Sequence, residues 1–159
     1  MKIRVGFGFD VHQLKEGLDF WLGGIIVPHS KGALGYSDAD VLIHSICDAL
    51  LGAANLGDIG KHFPDTDPKY KAIDSKVLLS AVMELIREKG FELGNVDSTI
   101  CLQKPKIQAY IPKMQKILAS CMRVDIDLVS IKATTTEELS FVGREEGVSA
   151  YANVLITSD

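Results

Sequence analysis

The alternation of apolar and polar residues predicts strands in the first part of the chain. Between residues 2 and 7 every second side chain is apolar, which is typical of a strand with one buried face. Asp10 and His12 follow closely and are predicted to lie in the loop after this strand. Residues 20–22 and 25–27 are apolar and flank a Gly-Gly pair, which favours a hairpin because glycine tolerates the positive φ of a tight turn.

Three stretches repeat apolar residues every three or four positions and are predicted to be helices. The first has Ser37 or Asp38 as its N-cap and Gly57 as its stop. The second covers residues 75–89, carries no obvious chemistry and is assigned to packing. The third covers residues 107–121 and has a proline near its start, where a helix tolerates one.

Strands and helices alternate through the second half of the chain. Strands are predicted at residues 96–103, 128–133 and 148–157, whereas residues 58–68 are rich in turn formers and are predicted to be a loop over the functional site. This order indicates the α/β or α+β class, as a two-layer fold with a sheet and helices packed on one face. A chain of this length suits one domain, so we interpret residues 1–159 as a single unit.

Composition and charge exclude several classes of protein. The chain has 47% hydrophobic and 24% charged residues, as globular proteins do, and its formal charge of −4 disfavours a nucleic-acid-binding surface. Cys47, Cys101 and Cys121 are odd in number and widely spaced, which favours a reducing compartment. The N-terminus lacks the apolar core of a signal peptide, and no apolar run approaches the length of a membrane-spanning helix. We therefore expect a cytoplasmic protein that binds neither nucleic acid nor a membrane.

One carboxylate and two imidazoles form the first candidate site. Asp10 and His12 lie two residues apart, and His44 lies on the first predicted helix. Two nitrogen ligands and one oxygen ligand suit zinc with a fourth position left open, and they disfavour a site for magnesium alone. Asp40 and Asp48 lie one turn either side of His44 and are candidates to orient its ring. The alternative is that His12 is a surface residue and His44 a helix histidine paired with one of these two carboxylates.

Threonines and lysines in the second half form a candidate phosphate site. Thr134 and Glu137 have the spacing of a capping box, and a helix start is also a cradle for phosphate because its N–H groups are free. Glu137 is alternatively a ligand for a divalent cation held against phosphate oxygens. Lys104 and Lys106 follow one predicted strand and Lys132 lies in the next, so they converge with the threonines if these strands are neighbours. Solvated lysines are the simpler interpretation.

Two carboxylates in the predicted loop are candidates to contact substrate hydroxyls. Asp58 and Asp65 can accept hydrogen bonds there, and Gly60 between them permits close approach of the backbone. Loop aspartates are more often turn formers, so this signal is weaker than the first two. The charged residues 144–146 lie between two glycines and are interpreted as an exposed turn.

Several longer motifs carry a resemblance to a known family. With these motifs in order from end to end, the chain resembles the 2-C-methyl-D-erythritol 2,4-cyclodiphosphate synthases of the non-mevalonate isoprenoid pathway. The motifs are GFDVH at 8–12, SDADV at 37–41, His44, DALLGAA at 48–54, GDIGK at 57–61, FPDTD at 63–67, Pro105-Lys106 and KATTTE at 132–137. Tyr36, Ala39, Lys104 and Glu145 depart from the commonest choices of that family, but none of them is a candidate metal ligand.

The resemblance implies a phosphoryl-transfer enzyme that converts 4-diphosphocytidyl-2-C-methyl-D-erythritol 2-phosphate to the cyclic diphosphate and releases CMP. It also implies a homotrimer with active sites between subunits, and an isoprenyl diphosphate on the trimer axis near Phe9 and Arg144. The implied cofactors are Zn²⁺ and a second divalent cation, Mg²⁺ or Mn²⁺. The implied site residues are Asp10, His12 and His44 for zinc; Glu137 for the second cation through the phosphates; Thr135 and Ser37 beside the phosphates; Leu102, Lys104, Pro105, Lys106, Ala133, Thr134 and Thr135 for the cytidine part; and Asp58, Gly60 and Asp65 for the erythritol part.

Two alternatives from other classes stay open at this point. The first is a metal-dependent phosphohydrolase, in which a water molecule attacks instead of a phosphate of the substrate. The second is a trimeric module that binds a nucleotide or an isoprenoid without catalysis. Such a module would keep the threonines and lysines but would not need His12 and His44.

Overall fold

Seven strands form a five-stranded sheet and a separate hairpin in the computed structural model, which describes residues 1–159. The strands are β1 (Lys2–Glu16), β2 (Trp21–Leu22), β3 (Ile25–Ile26), β4 (Lys31–Leu34), β5 (Glu92–Cys101), β6 (Val129–Thr134) and β7 (Gly147–Ser158). The large sheet has the order β4-β1-β7-β5-β6, in which only β5 and β6 are parallel neighbours. β2 and β3 form the hairpin predicted around the Gly-Gly pair.

Five helices accompany the sheet, and the three long ones were predicted. The helices are α1 (Val41–Ala53), α2 (Ile59–His62), α3 (Ser75–Glu88), α4 (Ile111–Met122) and α5 (Ser140–Gly143), with short 3-10 turns at Pro68–Tyr70, Gln108–Tyr110 and Ile126–Leu128. The proline of α4 lies in its first turn, as expected. The segment 58–68 is not wholly a loop, because it contains the single helical turn α2 and the start of a 3-10 turn.

The helices lie on one face of the large sheet. α1 packs on β1 and β7, α4 packs on β6, and α3 packs on both of these helices. The strand side chains beneath them, such as Val96, Ile100, Ala150 and Val154, are buried in one core cluster. The predicted two-layer, mixed α/β fold is therefore confirmed.

β1 differs from the prediction in two respects. It continues through Asp10 and His12 to Glu16, because its pairing with β7 extends without interruption from Lys2 to Gln13. The prediction that these two residues lie in a loop is therefore wrong. The apolar residues of the alternation are also on the face away from the helices, where Val5 is 76% exposed and Phe7 is 61% exposed in the single chain.

The face of β1 that does contact a helix is made of glycine. A Cβ atom added to Gly6 would lie 1.9 Å from the carbonyl oxygen of Ala49, and one added to Gly8 would lie 1.8 Å from that of Ser45. The backbone of α1 therefore lies directly on the backbone of β1, closer than any side chain would allow. Asp10 and His12 continue this same face beyond the glycines, because alternate residues of a strand share a face.

The ends of α1 also differ from the prediction. Its N-cap is Asp40, whose carboxylate accepts the N–H of Ile43 at 3.1 Å, instead of Ser37 or Asp38. The same buried carboxylate accepts the N–H groups of Gly23 and Gly24 at 3.0 and 2.7 Å, which ties the hairpin to the helix start. The helix ends at Ala53 and not at Gly57, because Asn55 takes the left-handed conformation and the N–H of Leu56 donates to Leu51.

None of the helices combines the length and the apolar composition that crossing a lipid bilayer requires.

We expect Gly8→Ala to lower the free energy of unfolding by about 1–3 kcal/mol, because the added methyl group must push α1 away from β1. Gly52→Ala is the matched control on α1, since a Cβ there meets nothing within 4 Å. This control should raise the stability by about 0.5–1 kcal/mol, as alanine is the better helix former. Urea unfolding of both variants measures the difference, and equal stabilities would contradict close packing at Gly8.

Candidate metal centre and adjoining cavities

Three side chains converge where α1 crosses β1. Asp10 Oδ2 lies 2.9 Å from His12 Nε2 and 3.1 Å from His44 Nδ1, and the two imidazole nitrogens are 3.2 Å apart. These three atoms form a nearly equilateral triangle on largely buried side chains. Both alternative interpretations of the histidines are wrong, because His12 is not on the surface and His44 does not pair with a carboxylate of its own helix.

The triangle has the size and the chemistry of a metal site. In a tetrahedral zinc site with bonds of about 2.0–2.1 Å, ligand atoms stand about 3.3 Å apart. The observed separations of 2.9–3.2 Å are close to this value. Two imidazole nitrogens and one carboxylate oxygen at these separations are a suitable ligand set for a divalent metal ion, and they leave a further position for another ligand.

The electrostatics of the triangle keep its carboxylate ionised. Burial alone would raise the pKa of Asp10, but hydrogen bonds and charge interactions with His12 and His44 outweigh it and lower that pKa to about 2. For His44, burial acts to lower the pKa, and the contacts with Asp10 overcome it and raise the pKa. The carboxylate is thus anionic at any physiological pH, as a metal ligand must be.

The two helix carboxylates predicted to orient His44 do not do so. Asp40 is committed to the N–H groups of the helix start and hairpin, and Asp48 accepts the N–H of Ile59 at 2.8 Å. The ring of His44 instead contacts two serines through Nε2, Ser75 Oγ at 2.9 Å and Ser37 Oγ at 3.2 Å. Ser75 was missed as a residue of the site, because α3 was assigned to packing only. Its neighbour in space, Asp38, is 37 residues away in the chain.

A cavity of about 430 Å³ adjoins the triangle. His12, His44, Ser37, Gly60 and Asp65 line it, so five of the predicted site residues meet here. Its remaining lining is mostly apolar or aromatic, from Tyr36, Ile59, Phe63, Pro64, Thr66, Tyr70, Ile73 and Leu78. Another predicted residue lies outside this lining: Asp58 is the N-cap of α2 and accepts the N–H of Lys61 at 2.9 Å.

A second cavity, of about 220 Å³, lies at the ends of the parallel strands β5 and β6. Its lining includes the predicted residues Leu102, Pro105, Lys106, Ala133, Thr134 and Thr135. β5 and β6 are neighbours in the sheet, which was the condition for these residues to lie close together. Lys104 is not part of the lining. The side chain of Lys132 lies on the face of the sheet away from the helices, where its Nζ is 2.6 Å from a carboxylate oxygen of Asp97.

The segment after β6 is a loop and not a capped helix. Glu137 and Glu138 have positive φ angles of 51° and 63°, and the short helix α5 begins only at Ser140. The predicted capping box is therefore wrong, since Thr134 Oγ1 donates to the carbonyl of Thr135 instead of receiving an N–H. The exposed carboxylate of Glu137 lies 3.4 Å from the hydroxyl of Thr135 and has no cation partner in the chain.

The fold and the site define a class: a mixed α/β protein with a candidate divalent-metal centre of one carboxylate and two imidazoles beside a cavity. The chain belongs to the YgbB family, whose family model matches residues 3–157.

Individual relatives agree with this assignment over nearly the whole chain. The chain is 65% identical over 159 residues to a 2-C-methyl-D-erythritol 2,4-cyclodiphosphate synthase from Bacteroides thetaiotaomicron, and the match covers 100% of both. It is 42% identical to the bifunctional IspDF from Campylobacter jejuni with a TM-score of 0.95, covering 99% of this chain and 43% of that one. It is also 36% identical to a 2C-methyl-D-erythritol-2,4-cyclodiphosphate synthase structure in a CDP-bound form, with a TM-score of 0.89, covering 97% of this chain and 100% of that one.

We expect His12→Ala to abolish stoichiometric binding of a divalent metal, because it leaves only two of the three ligands of the triangle. His62→Ala is the matched control, since the His62 ring only donates to the carbonyl of Leu56. Isothermal titration of metal-free protein with Zn²⁺ measures both. Unchanged binding by His12→Ala would show that the triangle is not the metal site.

Proposed function

We propose that the chain is a 2-C-methyl-D-erythritol 2,4-cyclodiphosphate synthase. Its reaction converts 4-diphosphocytidyl-2-C-methyl-D-erythritol 2-phosphate to 2-C-methyl-D-erythritol 2,4-cyclodiphosphate and CMP. The observation that carries the proposal is the Asp10, His12 and His44 triangle beside the large cavity, in a chain that aligns from end to end with synthases of this name. The CDP-bound form of a similar structure supports a cytidine nucleotide as part of the substrate.

The metal of the triangle is proposed to be Zn²⁺. Two imidazole nitrogens favour zinc over magnesium, which prefers oxygen ligands. A second divalent cation, Mg²⁺ or Mn²⁺, is proposed at Glu137, bound through the phosphates of the substrate. The exposed carboxylate of Glu137 supports this role, because it has a nearby hydroxyl and no cationic side chain to neutralise it.

The two cavities are proposed to hold the two halves of the substrate. The smaller one would take the cytidine part between Leu102, Pro105, Lys106 and residues 133–135. Lys104 precedes Pro105 in the chain and is proposed as a further contact. The larger one would take the erythritol part, with Gly60 and Asp65 in its wall. Asp58, which caps α2, would hold this wall in place as well as reach a substrate hydroxyl.

The reaction needs positioning more than acid or base chemistry. An oxygen of the 2-phosphate attacks the β-phosphorus, a new phosphorus–oxygen bond closes the ring, and the bond between the β-phosphorus and the bridging oxygen breaks so that CMP leaves. Cations held by the triangle and by Glu137 would supply Lewis-acid stabilisation of the negative charge on the phosphates. Ser37 lines one cavity and Thr135 the other, and both are proposed to donate hydrogen bonds to phosphate oxygens and to align the attack.

A homotrimer with active sites between subunits is proposed as the assembly. The apolar residues of β1 on the open face of the sheet, Ile3, Val5, Phe7, Phe9 and Val11, are exposed in the single chain and would be covered by a neighbour. The two cavities share no lining residue, and β7 separates their strands β1 and β5. A site completed by a neighbouring subunit would bring the two types of cavity together. Phe9 and Arg144 are the proposed contacts of an isoprenyl diphosphate on the trimer axis. The ring of Phe9 packs at a tilt against that of Tyr151, with the two centroids 5.1 Å apart.

Product analysis by ³¹P NMR tests the proposed reaction. We expect the protein with Zn²⁺ and Mg²⁺ to produce the cyclic diphosphate and CMP from the proposed substrate. An uncyclised erythritol 2,4-bisphosphate would indicate a phosphohydrolase instead. Binding of CDP without turnover would indicate a binding module.

His44→Ala should lower kcat at least about a hundred-fold, because metal catalysis contributes several kcal/mol, and it should leave the circular dichroism spectrum unchanged.

We expect Phe7→Glu to dissociate the trimer, because it places a charge in the proposed apolar interface. Val77→Glu is the matched control: Val77 is 57% exposed and Phe7 is 61% exposed, but Val77 lies on α3 in the helical layer. Light scattering after gel filtration should give about three times the chain mass of 17.3 kDa for wild type and control. A trimeric Phe7→Glu variant would contradict an interface on the open face.

A further inference from the structure

The far side of the His44 ring has its own hydrogen-bonding partners. Nδ1 faces Asp10 and His12, so its lone pair is the one directed at the metal position. An imidazole that binds a metal through Nδ1 carries its proton on Nε2, which then acts as a donor. The nearest acceptor is Ser75 Oγ at 2.9 Å, and Ser37 Oγ lies further away at 3.2 Å.

Ser75 also forms hydrogen bonds with a carboxylate, that of Asp38. Its hydroxyl donates to Asp38 Oδ1, and its backbone N–H donates to Asp38 Oδ2 at 2.8 Å. The hydroxyl and the backbone N–H of Ser75 thus both donate to the carboxylate of Asp38. Ser75 is the first residue of α3, is fully buried and does not line the large cavity. It therefore has no route to the substrate and can influence the reaction only through His44.

We propose that Ser75 and Asp38 are positioning residues that fix the tautomer and the orientation of the metal ligand His44. The inference rests on the metal site of the proposed function. The hydrogen bonds run in one direction, from His44 Nε2–H to Ser75 Oγ and from the Ser75 hydroxyl to the Asp38 carboxylate. The negative charge at the end of this chain strengthens both hydrogen bonds and makes Nδ1 a better electron donor to the metal.

Ser37 has a different task from Ser75, although both contact Nε2. Ser37 Oγ accepts the N–H of Ala39 at 3.2 Å, and Ser37 lines the cavity. Its own proton is therefore free to be donated into the cavity, to an oxygen of the substrate. Metal-ligand orientation thus belongs to the buried Ser75, and substrate contact belongs to the half-buried Ser37 that lines the cavity.

The zinc affinities of serine variants test whether Ser75 orients the metal ligand and Ser37 contacts the substrate. We expect Ser75→Ala to weaken zinc binding about 10–100-fold, which is the usual effect of removing a partner of a metal ligand. Its KM for the substrate at saturating zinc should be unchanged, because Ser75 does not line the cavity. Ser37→Ala should raise KM and leave the zinc affinity close to that of wild type. Competition with a chromogenic chelator measures the affinities.

Ser45→Ala is the matched control for a lost buried hydrogen bond. Ser45 follows His44 on α1, is fully buried, and its hydroxyl donates only to the carbonyl of Leu42 at 2.8 Å. This variant should lose stability without losing zinc affinity. The ligand-field spectrum of the cobalt-substituted protein should shift in Ser75→Ala and Asp38→Asn and stay unchanged in the control.

A measurement on the wild-type protein keeps the inference testable even where a variant does not fold. Histidine ¹⁵N NMR of the zinc-loaded protein should show His44 protonated at Nε2, and protonation at Nδ1 would overturn the inference. Identical zinc affinities and cobalt spectra in wild type, Ser75→Ala and Ser45→Ala would overturn it as well. No zinc binding by the wild type would overturn the metal site and the inference together, so the two failures can be told apart.

Discussion

The contact between the backbones of α1 and β1 is the constraint on which the site depends. Gly6 and Gly8 let the helix lie on the strand at a distance that no side chain would permit. His44 is carried on that helix, while Asp10 and His12 lie on the strand just beyond the glycines. The triangle of ligand atoms thus results from one close approach between two rigid elements. This arrangement positions ligands more accurately than flexible loops would.

Carboxylates surround His44, yet each one has its own partners within the chain. Asp10 contacts the two imidazoles, Asp38 receives both donors of Ser75, and Asp40 receives the N–H groups of the helix start and the hairpin. These three carboxylates are therefore engaged within the chain, and none of them lines the large cavity. This local pairing matters because the chain as a whole is acidic, with a formal charge of −4.

The sequence was sufficient to predict the helices, most strands and the three candidate metal ligands, because periodicity and residue chemistry are local signals. It was not sufficient to predict which face of β1 is buried. The apolar residues Val5 and Phe7 suggested one face, whereas the glycines of the other face carry no hydrophobic signal at all. The role of Ser75 could not be predicted either, because only the packing of α3 brings its partners His44 and Asp38 near it. The end of α1 at Ala53 was missed because glycine, and not asparagine as at Asn55, is the commoner left-handed residue after a helix.

The alternation along β1 places the candidate metal ligands and the exposed apolar residues of the proposed subunit interface on opposite faces of a single strand. Even-numbered residues from Gly6 to His12 face the helix and the metal position, while odd-numbered residues from Ile3 to Val11 face outward. A slip of one residue in the pairing of β1 with β7 would exchange the two sets, placing phenylalanine against the helix and the ligands in the open. An insertion or deletion within this strand would therefore disrupt the candidate metal ligands and the exposed apolar face together. A substitution can alter one of these two features without the other.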